Sequence, residues 1–305
     1  MSLTVFGSIG RDDITTPSGS VEGVVGGSAV YFSLAASLFT KVRLAANVGN
    51  DFPDEAWDVL RQRETDFAGL QVFDDKKTFH WAGSYSGDMN EAETLVTDLN
   101  VLTEKPFVPE SYTDSKFLFL ANMAPETQLE ILEQFPNSTV FADTMNLWID
   151  IARPQLDALL SKIDGLVLND GEARMLTGEQ NLIRAGAVLQ KMGPKYVIIK
   201  KGEHGAFLFT PDERFGLLAY PVDSVVDPTG AGDSFAGGMM GALAAEGSLT
   251  PKSIHRAMAY GTVCASFTVQ DFSVRALEQV TRSEIDARFA ELGDFLSFSP
   301  VFSCP

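Results

Sequence analysis

Short, nearly continuous apolar runs recur along this chain, at residues 3–7, 42–48, 116–120, 139–142, 165–168 and 196–200. Such runs are too short to be helices, and they lack the polar alternation of a strand with one wet face. They read as β-strands covered on both sides. Helical patterns fall between several of them. Residues 28–39 are small and apolar, 53–63 begin with a proline suited to a first helical turn, and 126–135 and 182–192 follow. Strands that alternate with helices predict an α/β fold around a largely parallel sheet. The chain has 305 residues and 45% hydrophobic composition, enough to bury one large core. With no internal repeat, low-complexity run or linker, residues 1–305 are expected to form a single domain.

One region departs from this rhythm. Residues 78–85 and 94–100 alternate and carry little helical signal. Together with 21–25 they predict a small β-layer beside the main sheet, drawn from about 13–25 and 67–100. Such a layer could close over a ligand and exclude water; an ordinary sheet edge is the competing reading. Past residue 231 the chain reads as helical. A Gly- and Ala-rich segment spans 231–245, and a second helix follows over 252–269, with Thr250 as its cap and Pro251 in its first turn.

Charge and cysteine content narrow the functions. The chain carries 41 acidic and 23 basic residues, a formal charge of −18, which argues against nucleic acid or an anionic membrane as partner. A bound polyphosphate would have to rely on metal ions and local backbone dipoles. No stretch has the roughly 20 apolar residues of a membrane span, and the N-terminus lacks the basic region and cleavage site of a signal peptide. Cys264 and Cys304 have neither a disulfide-framework nor a metal-ligand spacing, so a reducing cytoplasm is the expected setting.

The chemistry concentrates in Val225-Val226-Asp227-Pro228-Thr229-Gly230-Ala231-Gly232-Asp233-Ser234-Phe235. An apolar segment runs into a small-residue turn and then a helix. Free N–H groups and the positive dipole end of a helix make an anion site. Asp233 would repel such an anion, so its place there makes sense if it takes a proton from a nearby hydroxyl. The alternative is an ordinary capped helix start. By local pattern Asn169 and Glu172, three residues apart, read as a helix cap, Gly202 and Gly205 as a hairpin turn, and Asp12 as an exposed turn residue.

These residues do not stand alone. The run 227–233 resembles the signature of the PfkB carbohydrate kinase family, the ribokinase-like sugar kinases. Five more stretches are similar to that family in the same order: Gly7-Ser8-Ile9-Gly10-Arg11-Asp12, Val25-Gly26-Gly27-Ser28-Ala29, Asn47-Val48-Gly49-Asn50-Asp51-Phe52, Asn169-Asp170-Gly171-Glu172 and Lys200-Lys201-Gly202-Glu203-His204-Gly205. Together they span nearly the whole chain. The resemblance implies a ribokinase-like three-layer αβα domain with a small β-lid, and transfer of the ATP γ-phosphoryl group to a hydroxyl of a sugar or polyol. It implies Asp233 as catalytic base and Gly230, Ala231 and Gly232 as anion hole. Lys201, Gly202, Gly205 and Thr229 would lie at ATP, and Asn169 and Glu172 near Mg²⁺, partly through water. Asp227 would help hold a monovalent cation such as K⁺. Asp12, Gly26, Gly27 and Ser28 would face the substrate.

The sequence also departs from its relatives. Ribokinase carries a Lys and an Asn in the Gly-Gly loop, where this chain has Ser28 and Tyr31. The change counts against ribose and adds an aromatic face. Phe79 and Trp81 add more, suited to stacking on a sugar or a nucleobase, or to core packing. Asp143-Thr144-Met145-Asn146 stands where many sugar kinases have Asp-x-Asn, so Asp143 and Asn146, with Asn122 nearby, are further candidates. The histidines His80, His204 and His255 share no metal-ligand spacing. A nucleoside kinase, and a binding protein that has lost catalysis, are the alternatives to a sugar kinase. An exposed lid edge would invite a second copy of the chain.

Overall fold

The computed structural model describes residues 2–297, so Cys304 lies outside the described residues. Thirteen strands form in chain order: β1 Leu3–Phe6, β2 Gly10–Thr16, β3 Gly19–Gly26, β4 Val42–Gly49, β5 Thr65–Phe73, β6 Phe79–Tyr85, β7 Ala92–Asp98, β8 Phe117–Leu120, β9 Thr139–Asp143, β10 Gly165–Asn169, β11 Tyr196–Lys200, β12 Ala206–Phe209 and β13 Arg214–Leu217. Nine of them make one sheet in the order β13-β12-β11-β10-β9-β8-β1-β4-β5. Pairing is parallel from β11 through β5 and antiparallel where β12 and β13 close one edge.

The apolar runs behave as strands covered on both faces must. Phe117 and Phe119 of β8 point into one core with Val5, Val167 and Ile198. Leu118 and Leu120 point into the other with Phe6, Leu168 and Ile199. The first core is roofed by the helices Ser28–Ala36, Ala231–Glu246 and Pro251–Thr268. The second is roofed by Pro125–Leu132, Arg153–Leu160, Asp170–Thr177 and Leu182–Lys191. The result is the expected three-layer αβα arrangement. Thr250 caps the helix Pro251–Thr268 through a reciprocal pair with Ser253, as anticipated.

A second sheet has the order β3-β2-β6-β7. Its composition corrects two boundaries. Residues 67–73, expected in the small layer, belong to β5, which pairs in parallel with β4 at the edge of the large sheet. The small layer instead begins at Gly10, because the chain leaves the large sheet after Phe6 and β2 pairs with both β3 and β6. Asp12 is therefore a residue of the small sheet, not an extension of β1. The segment 65–73 has no clear alternation, and only its partner tells which sheet it joins.

The helix Ser28–Ala36 is buried along its whole length between the sheet and the helix Ala231–Glu246. Small residues permit this close approach. A Cβ at Gly237 would fall inside van der Waals contact of the Phe32 carbonyl oxygen, a backbone atom that cannot turn away. Gly237→Ala is expected to destabilise the fold by about 1–3 kcal/mol, the usual cost of overpacking. Denaturant unfolding at constant m-value measures this, and an unchanged midpoint would contradict the packing described.

Candidate active site

Parallel strands put their carboxyl ends on one edge, and the loops that leave that edge meet in a crevice. Here β1, β9, β10 and β11 end at Phe6, Asp143, Asn169 and Lys200, next to the start of the helix Ala231–Glu246 and under the small sheet. Between them lies a cleft of about 1340 Å³. It collects candidates from across the chain, among them Asp12, Ser28, Trp81, Asn146, Glu172 and Asp233.

Gly230 occupies the left-handed region with φ 73°, and the ring of Tyr31 fills the space where its side chain would be. This turn aims the first helical turn into the cleft. Ala231 N–H donates to the Pro228 carbonyl oxygen at 3.2 Å, so it is already engaged. Among the described residues, no acceptor within the protein meets the N–H groups of Gly230 and Gly232. The anion-binding donors are thus fewer than the three expected. Asp233 follows in the same turn, half-buried at the cleft, and desolvation lifts its carboxyl to about 6 while the Lys200 ammonium opposes the rise.

Two further carboxyls lie near Asp233: Glu172 lines the cleft, whereas Asp143 is buried outside its lining. Asp143 has an oxygen with no hydrogen-bond partner, and burial raises its pKa well above the carboxylate range. Glu172 is lifted by burial to about 7, again against the pull of Lys200. Glu172 and Asn169 form a reciprocal cap, Asn169 N–H to Glu172 Oε2 and Glu172 N–H to Asn169 Oδ1, each at 2.7 Å. The capping interpretation is therefore realised, and it leaves one Glu172 oxygen for other partners. Among the described residues, no group of three His, Cys, Asp or Glu side chains is arranged to hold a metal ion. The donor set suits Mg²⁺ that arrives with a nucleotide and keeps phosphate and water ligands.

Asp12 is 4% exposed, so it is no surface turn residue. One of its oxygens lacks a partner, and its pKa is pushed up to about 8 by burial, with Asp227 and Asp233 adding repulsion. Gly26 abuts this carboxyl, which occupies the space a side chain there would need, and Gly26 does not itself line the cleft. Ser8 and Ser28 bond to each other, with Ser28 N–H donating to Ser8 Oγ at 3.1 Å and Ser8 N–H to Ser28 Oγ at 3.2 Å. They tie β1 to the helix Ser28–Ala36 below Gly27.

The aromatic candidates separate. Tyr31 lines the cleft at 1% exposure, its ring packed against Gly230 and its hydroxyl without a hydrogen-bond partner. Phe79 and Trp81 do line the cleft from the small sheet, with Trp81 Nε1–H donating to Thr94 Oγ1 at 3.3 Å. Trp148 joins them from the opposite wall, its Nε1–H donating to Asn122 Oδ1 at 2.9 Å. Tyr85 of the small sheet accepts a hydrogen bond from Thr229 Oγ1 at 3.2 Å and so docks that sheet on the 227–233 loop. His80 lies apart from this chemistry, bridging Asp13 and Asp98 within the small sheet at 3.0 and 3.3 Å.

Gly202 and Gly205 line the cleft from a turn between β11 and β12, so hairpin and ligand wall coincide. Lys201 does not line it. Its ammonium sits 3.8 Å above the Phe207 ring. Lys200 is the lysine that enters, with its Nζ beside Gly232. Asp227 is also outside the cleft: it is fully buried, and its two oxygens accept the N–H groups of Thr229 and Ser273, each at 2.9 Å. Sequence reasoning missed Lys200, Tyr85 and Trp148. The lysine pair at 200–201 was visible, but only the strand's facing distinguishes its members.

Comparison with known proteins accounts for this assembly. The cytidine kinase of Thermococcus kodakarensis is 30% identical over 246 residues, 79% of this chain and 87% of its own length. The ribokinase of Haemophilus influenzae is 25% identical over 291 residues, 88% of this chain and 92% of its own. An E. coli chain described as ribokinase II, solved with ATP and Mg²⁺, superposes with a TM-score of 0.76 at 20% identity, over 95% of this chain and 99% of that one. The last likeness shows the ribokinase fold. The family model of the pfkB family carbohydrate kinases matches residues 7–280, and the chain belongs to that family.

Proposed function

We propose that this protein transfers the γ-phosphoryl group of ATP to a hydroxyl of a small sugar, polyol or nucleoside, with Asp233 as general base. The observation that carries this reading is the pairing of a half-buried, desolvated carboxyl with unengaged N–H donors in a single helical turn. The acceptor oxygen forms its bond to Pγ while its proton passes to the Asp233 carboxylate. The bond from Pγ to the bridging oxygen breaks, and ADP leaves with that electron pair. The N–H groups of Gly230 and Gly232 face the charge that develops on the phosphoryl oxygens. Mg²⁺, brought with ATP and approached by Glu172 and Asn169, would neutralise phosphate charge. The turn at Gly202 and Gly205, with Thr229, would border the nucleotide, and the small sheet would act as a lid that excludes water.

On the acceptor side, the unpartnered Asp12 oxygen takes hydrogen bonds from substrate hydroxyls, flanked by Gly27, Ser28 and Asn146. The nucleoside reading is favoured by Phe79, Trp81 and Trp148, three rings on the walls of one cleft, and by the cytidine kinase relative. Asp227, buried with no cation against it, would gain from a monovalent ion, and K⁺ is expected to raise turnover. Strand β7 is exposed along its whole length at the edge of the lid, a surface for a second copy of the chain. Among the described residues, no helix is long and apolar enough to cross a membrane.

ADP release measured with panels of sugars, polyols and nucleosides tests the reading, and no release with any acceptor would overturn it. Asp233→Asn is expected to lower kcat at least ~100-fold with acceptor KM little changed. Because the base must be ionised, kcat/KM should fall as pH drops below about 6. Asp12→Asn should raise acceptor KM and at the same time stabilise the fold at alkaline pH. The folded Asp12 carboxyl keeps its proton up to about 8, while in the unfolded chain it ionises near 3.8. Wild-type stability relative to the variant therefore declines as pH rises between those values, by up to roughly 1.4 kcal/mol per pH unit. Unfolding curves at pH 5 and pH 8 measure the difference, and an equal gap at both would contradict the placement of Asp12.

A further inference from the structure

We infer that Lys200 is a catalytic residue whose ammonium touches the phosphoryl group during transfer. The inference rests on the kinase reading above and adds a residue to it. Lys200 is the last residue of β11, and its side chain leaves the carboxyl edge of the sheet into the cleft. A Cβ added to Gly232 would lie 2.5 Å from Lys200 Nζ, so the missing side chain at 232 is what makes room for the ammonium. The charge therefore sits beside the first turn of the helix Ala231–Glu246, next to the Gly232 N–H that has no acceptor among the described residues.

The surroundings of this charge show what it is for. Asp143, Glu172 and Asp233 all feel it, and it pulls each of their carboxyl pKa values down. Yet among the described residues no carboxylate oxygen comes within ion-pair distance of Nζ. An ammonium that served only to neutralise these acids would close on one of them. Lys200 instead stands between them and the helix start, with donors open toward the cleft. Its neighbour Lys201 shows the contrast, since that ammonium is turned away onto the Phe207 ring at 3.8 Å.

An anion with several oxygens that enters this gap would meet the Gly232 N–H from the helix and the ammonium from β11. In the transfer step those oxygens belong to the phosphoryl group as it passes from ADP to the acceptor. Lys200 donates hydrogen bonds to them and exchanges no proton; the acceptor proton still goes to Asp233. A flexible point charge suits a group that moves along the transfer coordinate. Its contact strengthens as charge builds on those oxygens, so it lowers the barrier more than it tightens binding.

Lys200→Met and Lys200→Gln test this, with thermal unfolding to confirm that each variant folds. The expected result is a fall in kcat of about 100-fold, the usual loss for one transition-state donor, with acceptor KM within about threefold of wild type. The loss should persist at the alkaline plateau of each variant's own pH profile, where Asp233 is ionised. In binding titrations, both variants should keep the wild-type affinity for ADP and lose at least ~10-fold for ADP with aluminium fluoride and Mg²⁺, a mimic of the phosphoryl group in flight. Full recovery of kcat at that plateau would show that Lys200 acts only through the ionisation of Asp233 and would overturn the inference. Equal loss of ADP and ADP–aluminium fluoride affinity would overturn it too, by making Lys200 a ground-state contact. An inactive wild type defeats the kinase reading itself, whereas an active wild type matched by both variants defeats only the role of Lys200.

Discussion

Asp12, Asp143, Glu172 and Asp233 are withdrawn from water around one cleft, and the rest of the site is arranged to tolerate this. Burial of a carboxylate is costly unless charge or hydrogen bonds offset it. The offsets are unequal. Lys200 and the helix start attend Asp233, the cap with Asn169 attends Glu172, and Asp12 has an oxygen with no partner at all. The carboxyl best served by positive charge is Asp233, the proposed base. The least served is Asp12, the proposed acceptor of substrate hydroxyl groups. Ligand binding can thus complete what folding leaves unsatisfied, which is a common way for a site to trade stability for affinity.

This arrangement depends on the two sheets meeting. The large sheet supplies the edge where β9, β10 and β11 deliver Asp143, Asn169 and Lys200. The small sheet supplies Asp12 from β2 and Phe79 and Trp81 from β6. Tyr85 and Thr229 join them at 3.2 Å, so Phe79 and Trp81 and the turn at Gly230 are held in one frame.

Much of this was legible in the chain. The continuous apolar runs identified the large sheet, because a strand packed on both faces has no reason to alternate. The 227–233 segment located the helix start and its carboxylate, and only its match to the family signature set it apart from an ordinary capped helix start. Thr250 and Pro251 marked the next helix through local capping chemistry alone. Where the reading slipped, the deciding term was nonlocal. Residues 67–73 carry no pattern that tells one sheet from the other, and only pairing with β4 assigns them. Ala231 looked like an open donor until the turn placed the Pro228 carbonyl within 3.2 Å of its N–H.

The lysine pair draws the same line most sharply. The sequence by itself determined the α/β class, the order of the motifs, the family and the place of Asp233, because periodicity, capping and small-residue turns act over a few residues. Only the tertiary structure decided that Lys200 faces the cleft while Lys201 lies on Phe207, that the Tyr31 ring supports Gly230, and that Asp12 belongs to the small sheet. Those outcomes depend on which face of a strand is buried and which segments pack across it. Contacts between residues far apart in sequence set both, and no local pattern records them.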